Sequence, residues 1–226
     1  MLVRVIGLEK SYRDAEGRPI PVLTGVDLET KPGEFVAVIG SSGSGKSTLL
    51  NVLGLLEPAD GGDIWFDDVR VSHLSRRAQA RVRGAQIGYV FQAFLLISSM
   101  TALDNVLMAA RYLGRDRRAA LGEAMQLMER LGVAHRTGHY PAQLSGGEQQ
   151  RIAYCRAVLN QPPLVLADEP TGSLDDEHAR VILAELRTLA RERKTSVVLV
   201  THRAEAAAEA DRVLRLRDGT LVAAVR

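Results

Sequence analysis

Cysteine is almost missing from this sequence: Cys155 is the only one in 226 residues. An intramolecular disulfide is therefore impossible, a cysteine-based zinc site is not expected, and a reducing compartment fits. Lysine is scarce too, with only Lys10, Lys31, Lys46 and Lys194 among 29 basic residues. The 27 acidic residues leave a net charge of only +2, so no strong whole-protein field points at nucleic acid as a partner. The segment from Met1 to Lys10 carries Arg4, Glu9 and Lys10 and lacks the apolar centre of a signal peptide. Long apolar runs are missing as well. Gly84 to Leu103 is the longest uncharged stretch, but Gln86, Gln92, Ser98, Ser99 and Thr101 interrupt it. Only Tyr89 to Ile97 is densely apolar, which is too short to span a bilayer. If the protein works at a membrane, another chain supplies the spanning helices.

The length suits one substantial core, read here as a single domain over 1–226. Leu2 to Leu8 and Val22 to Leu28 read as strands, and 31–34 as a turn. Phe35 to Ile39 is a continuous apolar run, as expected of a strand buried on both faces. A glycine-rich loop follows at once, then a helix over Lys46 to Leu53. Gly61-Gly62 and Asp67-Asp68 punctuate a hairpin around Ile64 to Phe66. Ser72 to Val82 reads as helix and Ile87 to Phe91 as strand. Thr101 to Asp104 resembles a capping box, and Leu121, Met125, Leu127, Met128 and Leu131 offer an apolar helical face. Further buried strands are expected at Leu164 to Ala167 and Val197 to Val200, with a helix over Asp176 to Arg193 between them. That helix is expected to turn Val181, Ile182, Leu186 and Leu189 inward, and Val213 to Val225 suggests a final hairpin. Strands alternating with helices predict an α/β fold: a mostly parallel sheet with helices on both faces, and a helical subdomain near 95–160 inserted between two of its strands.

Three stretches carry chemistry. The loop Gly40-Ser41-Ser42-Gly43-Ser44-Gly45-Lys46-Ser47, followed by Thr48, fits G-x-x-x-x-G-K-[ST] between a strand and a helix. Its glycines let backbone N–H groups converge on phosphate oxygens, Lys46 can neutralise β/γ-phosphate charge, and the Ser47 hydroxyl can coordinate Mg2+. Leu164 to Glu169 is an apolar strand ending in two carboxylates, at the sheet end where ligands collect. Asp168 there can hold Mg2+ through water, and Glu169 can polarise an attacking water. Leu144-Ser145-Gly146-Gly147-Glu148-Gln149-Gln150-Arg151 contains a capping box, Ser145 with Glu148, which alone would say only that a helix begins.

Together these strings resemble the motifs of ATP-binding cassette (ABC) transporter ATPases, over essentially the whole chain. The resemblance implies a P-loop ATPase fold with an N-terminal antiparallel β subdomain beside the core sheet, and ATP and Mg2+ as cofactors. Tyr12 sits where the family places an aromatic that stacks on adenine, and Gln92 where its Q-loop glutamine contributes to catalysis and the metal. Ser145 to Arg151 matches the signature motif, Ser173-Leu174-Asp175 the D-loop, and His202 the switch histidine. Leu23 to Val26, Gly88 to Gln92, Thr101 to Val106 and Glu148 to Arg151 resemble the lipoprotein-releasing and macrolide-export group (LolD/MacB type).

The family pattern further implies a head-to-tail dimer with two composite sites. Gly40 to Ser47, Gln92, Asp168, Glu169 and His202 of one copy would hold ATP, and Ser145 and Gly147 of the other would meet the γ-phosphate. The partners implied are an integral membrane permease, which the chain drives from the cytoplasmic face of the inner membrane, and an extracytoplasmic adaptor. A cell-division-type ATPase that relays force without moving cargo is the alternative. Two departures stand out: Arg203 follows the histidine where an acidic residue is usual, and 94–99 lacks the expected Asn and Pro. The stretch Phe94 to Ala110 either packs the helical subdomain or meets the permease. The arginines from Arg70 to Arg83 read as a solvated helix face rather than a lipid contact.

Overall fold

The computed structural model describes residues 2–172 and 174–224. Two sheets share the chain. The first is antiparallel, in the order β2-β1-β4-β5, from β1 (Val3–Arg13), β2 (Pro19–Thr30), β4 (Gly61–Phe66) and β5 (Val69–Arg70). The second has the order β10-β9-β3-β8-β7-β6, from β3 (Phe35–Ile39), β6 (Ile87–Val90), β7 (Leu164–Asp168), β8 (Ser196–Val200), β9 (Arg212–Arg217) and β10 (Thr220–Ala223). All its pairings are parallel except β9 with β10. The expected strand runs 2–8, 22–28, 87–91 and 213–225 thus shift by a few residues, and Val225 lies outside the described residues.

The period-two geometry of the parallel strands divides the core. Phe35, Ala37, Val165, Ala167, Val197 and Leu199 face one way, into a cluster with the helices α3 (Ala102–Tyr112), α4 (Arg117–Arg130), α5 (Gly146–Val158) and α6 (Asp176–Arg193). Val36, Val38, Leu164, Leu166, Val198 and Val200 face the other way, onto α1 (Lys46–Leu53) and the antiparallel sheet. The parallel strands therefore read as unbroken apolar runs, because both faces are covered. The second face is covered by α1 together with the antiparallel sheet, so helices lie on both faces and the expected antiparallel β subdomain stands beside the core sheet.

The helical segments α3, α4 and α5 leave the sheet after β6 and return at β7, its parallel neighbour. Where β6 meets α5, a Cβ at Gly88 would lie 2.4 Å from the Ala157 carbonyl oxygen, so only glycine lets them approach this closely.

Several helix details differ from the sequence reading. The stretch 72–82 begins with a 3-10 turn, Val71–His73, and α2 (Arg76–Gln86) starts only after Ser75, whose Oγ caps Ala78 N–H. Thr101 Oγ1 caps Asp104 N–H at 3.1 Å, but the Asp104 carboxylate accepts from the Thr101 hydroxyl rather than its backbone, so the box is half formed. On α4 the buried face is Ala120, Ala124, Leu127 and Met128, while Leu121 and Met125 are each 37% exposed. On α6, Val181 points outward and Leu183 inward. In both helices the small or neighbouring residue sits at the i+4 or i+7 position that the packing direction selects.

Candidate functional site

The parallel strands all deliver their carboxyl ends to one edge of the sheet, and the chemistry-bearing residues gather there. The Gly40 to Ser47 loop leaves β3 and enters α1. Gly40 is confined between Ser44 Oγ and the Leu216 carbonyl oxygen of β9, 2.6 and 2.8 Å from where a Cβ would stand. Gly45, the residue before the helix, has φ of 96°, which L side chains rarely adopt. Ser41, Ser42, Gly43 and Ser47 are exposed, and Ser44, Gly45 and Thr48 are half-buried, so the loop's hollow is open to a ligand. Lys46 is buried, and its Nζ donates to the Gly40 and Ser41 carbonyl oxygens at 3.0 and 2.9 Å. Its ammonium therefore lies inside the curve of the loop, in reach of anionic oxygens.

Ser47 Oγ donates to Asp168 Oδ1 at 3.2 Å, which joins the helix start to the end of β7. Burial pushes the Asp168 carboxyl above its usual range, opposed by the Ser47 hydrogen bond, while the neighbouring Glu169 charge adds to the rise. Glu169 is buried and has φ of 43°, an unusual backbone for a non-glycine residue that turns the side chain off the strand. Its Oε1 lies 2.8 Å from His202 Nδ1, whereas its Oε2 is buried without a protein partner. A buried carboxylate oxygen with no partner is a costly arrangement unless water or a ligand completes it. Gln92, just past β6, is exposed, and its Nε2 lies 3.8 Å from where a Gly172 Cβ would be, beside the Glu169 turn. Ser47, Gln92 and Asp168 offer only oxygen ligands, the donor set that suits Mg2+. Ser47 and Asp168 already face one another, and Glu169, with its unpartnered oxygen, directly follows Asp168, so these residues fit such an ion.

The histidine is oriented in a way the sequence did not reveal. Arg203 makes no hydrogen bond to the His202 ring among the described residues. Its Nη2 donates to Asp176 Oδ1 at 2.7 Å and its Nη1 to the Thr171 carbonyl oxygen at 3.3 Å, across to the first turn of α6. Glu169 takes the role of holding His202 Nδ1.

Tyr12 lies at the end of β1, 40% exposed, with its hydroxyl donating to Glu57 Oε2 at 2.7 Å and lying 3.4 Å from Thr48 Oγ1. Lys10 Nζ approaches the ring to 5.6 Å. Tyr12 thus stands beside the phosphate loop's helix.

The remaining candidates sit apart from this cluster. Ser145 caps α5 with a complete capping box: Ser145 Oγ accepts from Glu148 N–H at 3.2 Å, and Glu148 Oε2 accepts from Ser145 N–H at 2.8 Å. Ser145 and Gly146 are exposed, and Gly147 lies against His178 of α6, 3.1 Å from its ring to an ideal Cβ. Asp175 caps α6 and accepts from His178 Nδ1 at 2.7 Å. Ser173, also expected in this loop, lies outside the described residues. Among the described residues no hydrogen bond joins Ser145 to Glu148 with the Gly40 to Thr48 loop. The sequence reading missed Glu57, Arg136, Asp176 and His178. Each acts on a motif through the fold, and none carries a local pattern.

A family model described as "ABC transporter" matches residues 23–172. The lipoprotein-releasing system ATP-binding protein LolD 2 of Chlorobaculum tepidum is 47% identical over 222 residues, 96% of this chain and 90% of that protein. The LolD 2 protein of Caulobacter vibrioides is 46% identical, covering 95% of this chain and 94% of its own length. The macrolide export ATP-binding/permease protein MacB of Rhodopirellula baltica is 47% identical over all of this chain, which spans only 33% of that longer protein. Among solved structures, a dimeric bacterial ABC transporter cassette superposes with TM-score 0.92 at 36% identity, over 97% of this chain and 96% of that one. The dimeric post-hydrolysis state of that cassette, bound to ADP and Pi, gives TM-score 0.90 at 37% identity, with the same coverage. With its phosphate loop, paired carboxylates and capped signature helix in these positions, the chain belongs to the ABC transporter family, as one of its ATP-hydrolysing cassettes.

Proposed function

We propose that two copies of this chain close head to tail on two ATP molecules and drive a separate membrane permease, for export or mechanical extraction of a substrate. The observation that carries the reading is the separation of two groups of residues. Polar and charged groups suited to phosphate line the sheet edge, yet among the described residues the exposed start of α5 at Ser145 and Gly146 forms hydrogen bonds only within its own helix start. The LolD and MacB names of the relatives support the transport assignment, and the dimeric state of the structural neighbours supports the pairing.

In this reading the residues divide the work by chemistry. Backbone N–H groups of Gly40 to Ser47 and the α1 N-terminus cradle the phosphates. Lys46 neutralises the β/γ charge, Tyr12 lies against the adenine, and Thr48 adds a hydroxyl. Ser47, Gln92 and Asp168 would hold a Mg2+ ion, which would supply neutralisation of phosphate charge. Glu169 presents its unpartnered Oε2 to the attacking water, while Oε1 stays on His202, which senses the γ-phosphate. Ser145, Gly146 and Gly147 of the second copy meet the γ-phosphate with the positive end of α5, and Asp175 stands at the seam between copies. Phosphoryl transfer needs mainly positioning and charge stabilisation, and closure of the dimer completes both.

The permease is proposed to seat in a groove of about 430 Å3 lined by Tyr89, Phe91, Leu95, Met108, Tyr112 and Arg156. Leu95 is 55% and Tyr112 58% exposed, and Phe94 and Leu95 are both held in left-handed backbone by Arg156, which donates to their carbonyls at 2.8 and 2.6 Å. Leu96 packs inward against the helical core, as the packing alternative for 94–110 expects, and in this reading the exposed Leu95 is left for the permease. The chain itself has no helix, among the described residues, long and apolar enough to cross a membrane. Its place would be the cytoplasmic face of the inner membrane, through the permease.

Glu169→Gln tests the centre of this reading. ATP binding should persist, turnover should fall by at least about 100-fold, and an ATP-dependent dimer should accumulate on size-exclusion chromatography. Turnover near the wild-type rate would remove Glu169 as the base. Photocrosslinks from Leu95 and Tyr112 should reach a co-expressed permease, and their absence in an active complex would exclude the groove.

A further inference from the structure

The first turn of α5 contains a contradiction that the composite site makes visible. A helix N-terminus attracts phosphate because its N–H groups are free and its dipole is positive. Here the third residue of that helix is a carboxylate. Glu148 is nine-tenths buried at the position where its negative charge cancels the helix end. Left alone it would repel an arriving γ-phosphate.

It is not left alone. Arg136 Nε donates to Glu148 Oε1 at 2.7 Å, while Glu148 Oε2 accepts from Ser145 N–H at 2.8 Å. Arg136 is itself half-buried, and its Nη1 lies 3.2 Å from His139 Nε2. His135 Nε2 lies 3.7 Å from the same Glu148 oxygen. Arg151, nearer the middle of α5, acts on Glu148 through its charge, but its Nε is buried with no hydrogen-bond partner and it makes no hydrogen bond to that carboxylate. Burial alone would push the Glu148 carboxyl up, but the hydrogen bonds from Ser145 and Arg136 outweigh it and hold it down to about 2. The carboxylate is therefore ionised at neutral pH, and a counter-charge is required.

We infer that Arg136 is a positioning residue for the γ-phosphate contact: its guanidinium neutralises Glu148, so the signature helix meets the ATP of a second copy with its positive end intact. The inference rests on the proposed in-trans role of Ser145 and Gly147. Arg136 touches no nucleotide in this scheme and acts only through Glu148. The residue pair is then one electrostatic unit: remove the cation and the helix end turns repulsive; remove both charges and it recovers. A glutamine at 148 keeps the capping box, since its side-chain oxygen can still accept from Ser145 N–H.

The test uses the full chain in the Glu169→Gln background, with sedimentation velocity reading the ATP-dependent dimer and a fluorescent ATP analogue reading nucleotide affinity of the monomer. Arg136→Gln should weaken dimerisation about tenfold or more, on the scale of one uncompensated charge at a poorly solvated interface, with monomer nucleotide affinity unchanged. Adding Glu148→Gln should return dimerisation to within about threefold of the parent. Arg136→Lys, which keeps the charge and protects against a folding defect, should stay within about threefold as well. A double variant no better than Arg136→Gln would make the role of Arg136 structural and overturn the inference. So would an unaltered Arg136→Gln, or a Lys variant as impaired as the Gln one. A parent that forms no dimer with ATP would overturn the in-trans reading itself, and this inference with it.

Discussion

Lys46 shows how a single side chain is prepared before its ligand arrives. With its ammonium bonded to the Gly40 and Ser41 carbonyls, it is already inside the loop, and phosphate oxygens need only replace those two contacts. Lys46→Ala should therefore lower ATP affinity by about 100-fold or more, read by isothermal titration calorimetry; unchanged affinity would remove the loop as the nucleotide site. Glu148 gives a pH prediction at the same scale. Its folded pKa of about 2 lies below the ordinary glutamate value, so its contribution to stability is present above the unfolded pKa. That contribution should be lost as pH falls from about 4.5 through about 2. Denaturant unfolding across that range should show a decline that Glu148→Gln flattens. Both residues are named by short motifs. What the motifs did not carry is the partner: Arg136 lies 12 residues away and Arg203 reaches Asp176 across 27.

At the scale of elements, the bounds of β3, α1 and α6 were legible to the residue, since an apolar run and a glycine or acidic cap mark each of them. The faces of the helices were less so. Hydropathy ranks Val181 and Leu121 with Leu186 and Met128, but only the direction of the neighbouring elements decides which are covered. Leu186→Ala should cost about 2–5 kcal/mol of stability and Val181→Ala less than about 1 kcal/mol, measured by urea unfolding. Equal losses would return the inward face to that expected from hydropathy. Gly88→Ala should cost about 1–3 kcal/mol by overpacking, because its Cβ would enter the space of the Ala157 carbonyl at the β6–α5 crossing.

For the whole molecule, the proposed function turns on two groups of residues that no hydrogen bond joins among the described residues. The sheet edge gathers charge and hydroxyls around the phosphate loop, while α5 presents its own capped end. Specific ATPase activity should therefore rise with protein concentration and level off once dimers dominate. A specific activity independent of concentration over a range where sedimentation shows monomer would mean that one chain is sufficient. Arg203 ties the loop after His202 to the start of α6, next to Asp175.

The sequence by itself determined the phosphate loop, the paired carboxylates, the histidine and the capped signature helix. Phosphate binding and helix capping work through adjacent backbone groups, so their residues must be contiguous. Only the tertiary structure decided which strand residues face the antiparallel sheet and which face the helices, that Glu169 holds His202 in place of an acidic residue at 203, and that Arg136 covers the charge of Glu148. These are contacts between segments that the chain brings together only by folding, and no local spacing encodes them.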